Sequence, residues 1–265
     1  MKLNDLKDFH KGFDFLLTKI KNEENFAFVR FSDGELFVLK NETLILSDTY
    51  YVTGDVAGSN IYTDEEQKEF IPEIHSFYRQ KLIESLEHTQ ADYFKGICTI
   101  KDVGEKNFLF QKSFISDEEN LTFANLLINK NYKRFVEEMV PLFKNREIIY
   151  VANKAAKVEN LPFKIKKHFK VGKNCPVNDY YLVDEIRKYI KENNIKNHII
   201  LCAAASLSNY IIHQCYEENP NNTFIDVGSC LNPYLGLEGW KHTRGYLTGY
   251  WLNSGSPYAE MISEW

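Results

Sequence analysis

Ser32-Asp33-Gly34-Glu35 sets two carboxylates and a glycine where one apolar run, Phe28–Phe31, stops and another, Leu36–Leu39, begins. In an extended or turning backbone, side chains two positions apart can point the same way. Two hard oxygen donors so placed suit a divalent cation that keeps several waters and takes phosphate oxygens as its other ligands. Gly34 lets the chain turn tightly and leaves room for a ligand. The same Asp-Gly pair equally serves as a plain turn.

Other candidates share that position after an apolar run. Ala203–Asn209 reads Ala-Ala-Ala-Ser-Leu-Ser-Asn. Small side chains at Ala204 and Ala205 allow close backbone approach, and Ser206 or Ser208 can cap a helix whose first N–H groups attract phosphate; close packing of helix on sheet is the equal alternative. Asn153 and Lys154 follow Tyr150-Val151-Ala152. Asp226, ahead of Gly228 and Ser229, suits a ribose hydroxyl or an acidic turn. Asn178 or Asp179, in Cys-Pro-Val-Asn-Asp, reads as a helix N-cap or a ligand contact. The seven histidines show no metal-ligand spacing.

These positions need elements to hold them. Strands are expected at 26–31, 43–46, 96–100, 147–152, 168–171, 197–202 and 223–227, with helices at 64–88, 118–129, 131–143, 179–193 and 206–218. The alternation implies βαβ units and an α/β fold: a mostly parallel sheet with helices on both faces. Continuously apolar stretches such as His198–Ala204 fit strands covered on both sides, and sites in such sheets lie at the strands' carboxyl ends. With no repeat or linker tract, residues 1–265 read as one domain. An amphipathic N-terminal helix occupies residues 1–25, and residues 231–265, rich in Gly, Tyr and Trp, read as a loop-rich cap over the cleft, with Arg244 among its ligand-facing candidates.

A net charge of −5 gives no footprint for duplex nucleic acid. Lys164–Lys173 is a local basic patch, read as a solvated helix end or a phosphate contact. Five scattered cysteines without a C-x-x-C pair read as reduced, buried thiols of a cytoplasmic protein. No apolar stretch approaches the roughly 18 residues that span a bilayer, so membrane contact is expected to be peripheral at most.

Phe28–Glu35, Ile97–Ile100, Arg146–Asn153, Cys175–Asp179 and Ile199–Ser229, in this order, resemble the GT-D type glycosyltransferases, a Rossmann-like class with a D-x-E motif first described as a domain of unknown function. The family's arginine, acidic pair and D-[IV]-G match Arg30, Asp33/Glu35 and Asp226–Gly228. The family's L-G-P-T-A turn is replaced by Cys-Ala-Ala-Ala-Ser-Leu-Ser, and Ser-Cys-Leu-Asn-Pro-Tyr follows the D-V-G. The resemblance implies transfer of a sugar from a nucleotide-diphosphate donor, UDP foremost, to a glycan acceptor, free or linked to lipid or protein. Asp33 and Glu35 would hold Mn²⁺ or Mg²⁺ against the diphosphate, with Arg30 on the same phosphates, and a homo-oligomer is compatible with it. Asp55, Glu238 and His242 are the general-base candidates. Rival readings are a metal-dependent phosphohydrolase, a methyltransferase-like Rossmann protein and a non-catalytic nucleotide- or glycan-binding module.

Overall fold

Apolar strands covered on both faces should send alternate side chains into two separate cores, and the structure, a computed structural model describing residues 3–116, 118–253 and 255–265, shows this. In chain order its strands are β1 (Ala27–Phe31), β2 (Leu44–Leu46), β3 (Tyr51–Thr53), β4 (Val56–Gly58), β5 (Lys68–Phe70), β6 (Tyr93–Ile97), β7 (Leu121–Phe123), β8 (Ile148–Asn153), β9 (Ile165–Val171), β10 (Ile199–Cys202) and β11 (Thr223–Asp226). Seven form the main sheet in the order β7-β6-β1-β11-β10-β8-β9, every pairing parallel. From β8, Ile148, Tyr150 and Ala152 enter one core while Ile149 and Val151 enter the other.

The first core lies under the Phe9–Lys21 helix and the C-terminal segment. That helix buries Phe9, Phe13, Leu16, Leu17 and Ile20 along one stripe, each contributing about 1.5–3 kcal/mol. Asp8 caps it, accepting from the N–H groups of His10 and Lys11. Leu3–Lys7 ahead of it is a 3-10 turn, and residues 1 and 2 of the expected helix lie outside the described residues. The second core lies under the Ser76–Glu87, Glu105–Lys112, Leu182–Glu192 and Ser206–Glu218 helices.

Three expectations need correction. The 64–88 helix is two things: β5 and, after Pro72, the shorter Ser76–Glu87 helix. Proline lacks an amide donor and restricts its predecessor, so one helix could not run through. Residues 43–46 also leave the main sheet; they supply β2 of a separate antiparallel sheet, β4-β3-β2-β5. Within the expected 118–129 helix, Leu121–Phe123 is the fully buried edge strand β7.

Elsewhere the expected elements form with shifted ends. Residues 132–145 are helical, but the helix widens to a π turn at Phe135–Met139 and tightens to 3-10 at Val140–Asn145, where Pro141 withdraws a backbone donor. The 164–173 patch is not a helix end: it is mostly β9, the opposite edge of the main sheet, with Lys166, Lys167 and Lys170 exposed. Lysines on an edge strand discourage pairing with another chain. All five cysteines are buried and free, and burial raises the Cys175 and Cys230 thiols to about 12. No helix among the described residues is long and apolar enough to cross a membrane.

Candidate active site

The carboxyl ends of β1, β8, β10 and β11 open on one cleft of about 560 Å³. The small sheet and the C-terminal segment complete its walls. Its volume lies in the range of small-molecule sites, and its position is the one open parallel sheets use for ligands.

After β1 the chain passes directly into a helix, Asp33–Leu39, so the expected extended or turning backbone at the acidic pair is corrected: Asp33 and Glu35 are the first and third helical residues. Positions two apart on a helix diverge, and the carboxylates part company. Asp33 is exposed at the cleft, and among the described residues only its Oδ1 is engaged, accepting from the Gly34 N–H at 3.0 Å. Glu35 is buried; Oε2 accepts from the Ser32 N–H at 3.1 Å and Oε1 from the Ser206 hydroxyl at 2.9 Å. Glu35 thus closes the helix start and ties the end of β1 to the turn after β10.

That second turn is strained. Ala205 holds φ +45° and ψ −142°, a region that costs a side-chain-bearing residue. It is exposed to the cleft, and Ala204, though itself buried, also lines it. The serines do not cap the helix from the N-cap position as expected, which Ala205 occupies: Ser206 goes to Glu35, and Ser208 Oγ accepts from the Ala204 N–H at 3.0 Å.

Arg30 and Asp226 both line the cleft, yet each is the other's partner, with Arg30 Nη2 3.1 Å from Asp226 Oδ1. Burial works against the arginine's charge, but Asp226 prevails and raises its pKa. The same Asp226 oxygen accepts from the Gly228 N–H at 2.9 Å. Gly228 has φ +46°, and the Arg30 guanidinium occupies the space its Cβ would take, so glycine is required there twice over. Arg30 Nε is buried without a hydrogen-bond partner among the described residues.

A metal can be tested against these donors. Among the described residues no three His, Cys, Asp or Glu side chains gather to hold one. Asp33 nevertheless presents an open carboxylate beside cleft space, which fits a cation taking one or two carboxylates and completing its shell with ligand phosphates and water. Glu35 can join only through lone pairs left over from its two hydrogen bonds.

The comparisons with known proteins bear on this geometry. The model of the GT-D fold-like domain matches residues 10–234. The chain belongs to this GT-D-like family. Two solved structures of domain of unknown function 1792 are similar to it, one a selenomethionine-substituted form and one described as having a distinct glycosyltransferase fold. Their TM-scores are 0.53 and 0.54, each at 12% identity over 85% of this chain and 78% of the other. No curated protein matches the chain. Family and fold together support a glycosyltransferase.

In this GT-D-like cleft the structure gathers Arg30, Asp33, Gly34, Glu35, Asn153, Ala204, Ala205, Asp226, Ser229 and Arg244. Asn153 Oδ1 accepts from the Ala155 N–H at 2.8 Å, and Ser229 Oγ lies 2.8 Å from the Tyr246 hydroxyl. Arg244 is exposed and makes no ion pair among the described residues; its Nη1 donates to the Thr243 carbonyl. Ser206 stands behind Glu35. Lys154, Asn178, Asp55, Glu238 and His242 do not line the cleft. Asn178 donates to the Lys173 carbonyl, and Asp179 accepts from the Gly172 N–H, so neither caps the following helix as expected. Asp55 sits at the exposed β3–β4 turn, Glu238 pairs with Lys241 at 2.8 Å, and His242 is exposed.

Sequence reasoning missed the wall made by the small sheet, including Leu44, Thr53 and Lys68, and by the segment leading into β5, including Tyr62 and Gln67. Pro72, inside the expected helix, was the signal that could have uncovered β5.

Proposed function

We propose that this cleft binds a nucleoside-diphosphate sugar, UDP-linked foremost, and transfers its glycosyl group to a hydroxyl of a glycan or glycoconjugate. The supporting observation is the convergence of the open Asp33 carboxylate, the Arg244 guanidinium, which makes no ion pair among the described residues, and the strained Ala205 turn on one cleft at the carboxyl ends of a parallel sheet. Asp33, with the donor phosphates, would hold Mn²⁺ or Mg²⁺. Bound there, the ion would act as a Lewis acid on the diphosphate.

The protein's own part is positional. Glu35 fixes Asp33 by closing the helix start and gripping Ser206. Arg244 can donate charge-assisted hydrogen bonds to phosphate oxygens. Trp240, Tyr246 and Tyr258, from the C-terminal segment, line the cleft with aromatic surface of the kind that packs on sugar or base rings and excludes water.

The test is a thermal-shift screen of nucleoside diphosphates with and without Mn²⁺, followed by turnover of matching sugar nucleotides with and without a glycan acceptor. At about 100 times its dissociation constant a ligand should stabilise the protein by about 2.7 kcal/mol. Acceptor-dependent release of nucleoside diphosphate is the expected result. Acceptor-independent phosphate release would point to a phosphohydrolase, and binding without turnover to a binding module. No shift with any nucleotide would refute the reading.

A further inference from the structure

Lys68 lies on β5, where Leu46, Ile45 and Leu44 of β2 face Lys68, Glu69 and Phe70. Alternate residues of a strand share a face, so Lys68 is on the face of Phe70, which is 4% exposed in the second core. The strand therefore carries the lysine inward, and its side chain lines the cleft. Among the described residues it makes no hydrogen bond or ion pair.

Its ammonium lies against a glycine. Gly34 sits inside the first turn of a helix with ordinary backbone angles, where alanine would serve the helix better. A Cβ built there would lie 2.8 Å from Lys68 Nζ and 3.8 Å from Cε, and apart from its chain neighbours and its own helix backbone no other described residue comes within 4 Å. The room left by Gly34 is thus occupied by the ammonium group, one residue from the open carboxylate of Asp33.

We propose that Lys68 is a donor-binding residue whose ammonium, admitted beside Asp33 by the missing side chain at Gly34, contacts the diphosphate of the bound sugar nucleotide. The assignment rests on the donor reading above and adds a cation supplied by the small sheet. During transfer the sugar–phosphate C–O bond breaks with its electron pair going to the diphosphate oxygen. The acceptor oxygen forms the new C–O bond and releases its proton to solvent. Lys68 offsets the charge growing on the leaving diphosphate. An inward lysine on an edge strand can also serve only to block strand pairing, and that use predicts no dependence on ligand.

Titration calorimetry with inorganic pyrophosphate, UDP and uridine, on the wild type and on Lys68→Met, Lys68→Arg, Gly34→Ala and the Gly34→Ala/Lys68→Met double variant, separates these uses. Lys68→Met should weaken pyrophosphate and UDP by about tenfold to a hundredfold, the range of a lost charge-assisted hydrogen bond. Uridine binding and melting temperature should stay as in the wild type, and Lys68→Arg should retain most of the affinity. Gly34→Ala crowds only the far end of the flexible lysine chain and should weaken binding by less, and the double variant should be no worse than Lys68→Met, because both act through one ammonium group. Pyrophosphate binding equal to wild type in Lys68→Met overturns this assignment, whatever Gly34→Ala shows, and leaves the donor reading standing. A wild type that binds neither pyrophosphate nor any nucleoside diphosphate overturns both.

Discussion

Asp33 and Glu35 sit two positions apart in one motif, yet the structure gives them different work, and Asp33→Asn and Glu35→Gln should therefore fail differently. Glu35 accepts two hydrogen bonds while buried, from Ser32 N–H and Ser206 Oγ–H. Glutamine keeps one acceptor oxygen but turns an amide donor toward the other donor. Losing one charge-assisted bond and weakening its companion should cost about 2 kcal/mol. For a chain of this size each kcal/mol moves the melting temperature by about 2–4 °C, so Glu35→Gln should melt about 4–8 °C lower. Asp33 is exposed and among the described residues accepts only from its neighbour's amide, so Asp33→Asn should stay within about 0.5 kcal/mol of the wild type. Activity should separate them further: metal-dependent transfer should drop by orders of magnitude in Asp33→Asn, which loses the open anionic ligand while folding normally. Ser206→Ala is the third arm, costing about 1 kcal/mol and combining with Glu35→Gln less than additively. Calorimetric melting and sugar-nucleotide turnover on the same preparations provide the comparison. Equal melting temperatures for Asp33→Asn and Glu35→Gln would refute the division of labour, and full activity in Asp33→Asn or in EDTA would refute the metal assignment.

Three further outcomes follow from the same geometry. Ala205→Gly should raise stability by about 1 kcal/mol, because relief of the left-handed backbone outweighs glycine's extra unfolded-state entropy; an unchanged denaturation midpoint would show that the turn is unstrained. Gly96→Ala should destabilise the fold by about 1–3 kcal/mol, since the new Cβ would lie 2.8 Å from the Phe123 carbonyl oxygen and 3.0 Å from Ala124 backbone atoms; a wild-type urea midpoint would count against that packing. His213 is buried, and burial first, with neighbouring His88 second, lowers its pKa to about 4. The unfolded chain then binds this proton more readily than the folded one, so stability is fully present above about pH 6.5 and is lost as pH falls toward 4, by about 3 kcal/mol in all. Urea midpoints at pH 7 and pH 4.5 should show a smaller drop in His213→Gln than in the wild type, and equal drops would overturn this.

The layering of the fold was legible in the sequence because burial on both faces of a parallel sheet leaves a local trace. Continuously apolar stretches at β1, β8, β10 and β11 separated by helical periods cannot easily be anything else, and the residues following them did converge on a cleft. Where the reading failed, local pattern competed with a local rule. Lys68–Phe70 was absorbed into a helical period although Pro72 forbids the helix. Leu121–Phe123 is too short for its own alternation to stand out from the apolar residues around it.

The sequence by itself determined where chemistry could sit: small and acidic residues at strand ends, a D-x-E and a D-V-G in family order, and cysteines without partners. Only the tertiary structure decided what those residues do. Arg30 meets Asp226 across 196 positions, Glu35 meets Ser206 across 171, and Lys68 fills the gap at Gly34 from a different sheet. Periodicity records whether a residue is buried, which is a property of its own few neighbours. Which buried group faces which depends on strand order and on the crossing of elements far apart in the chain, so the open carboxylate of Asp33 and the engaged one of Glu35 look alike until the fold brings their partners to them.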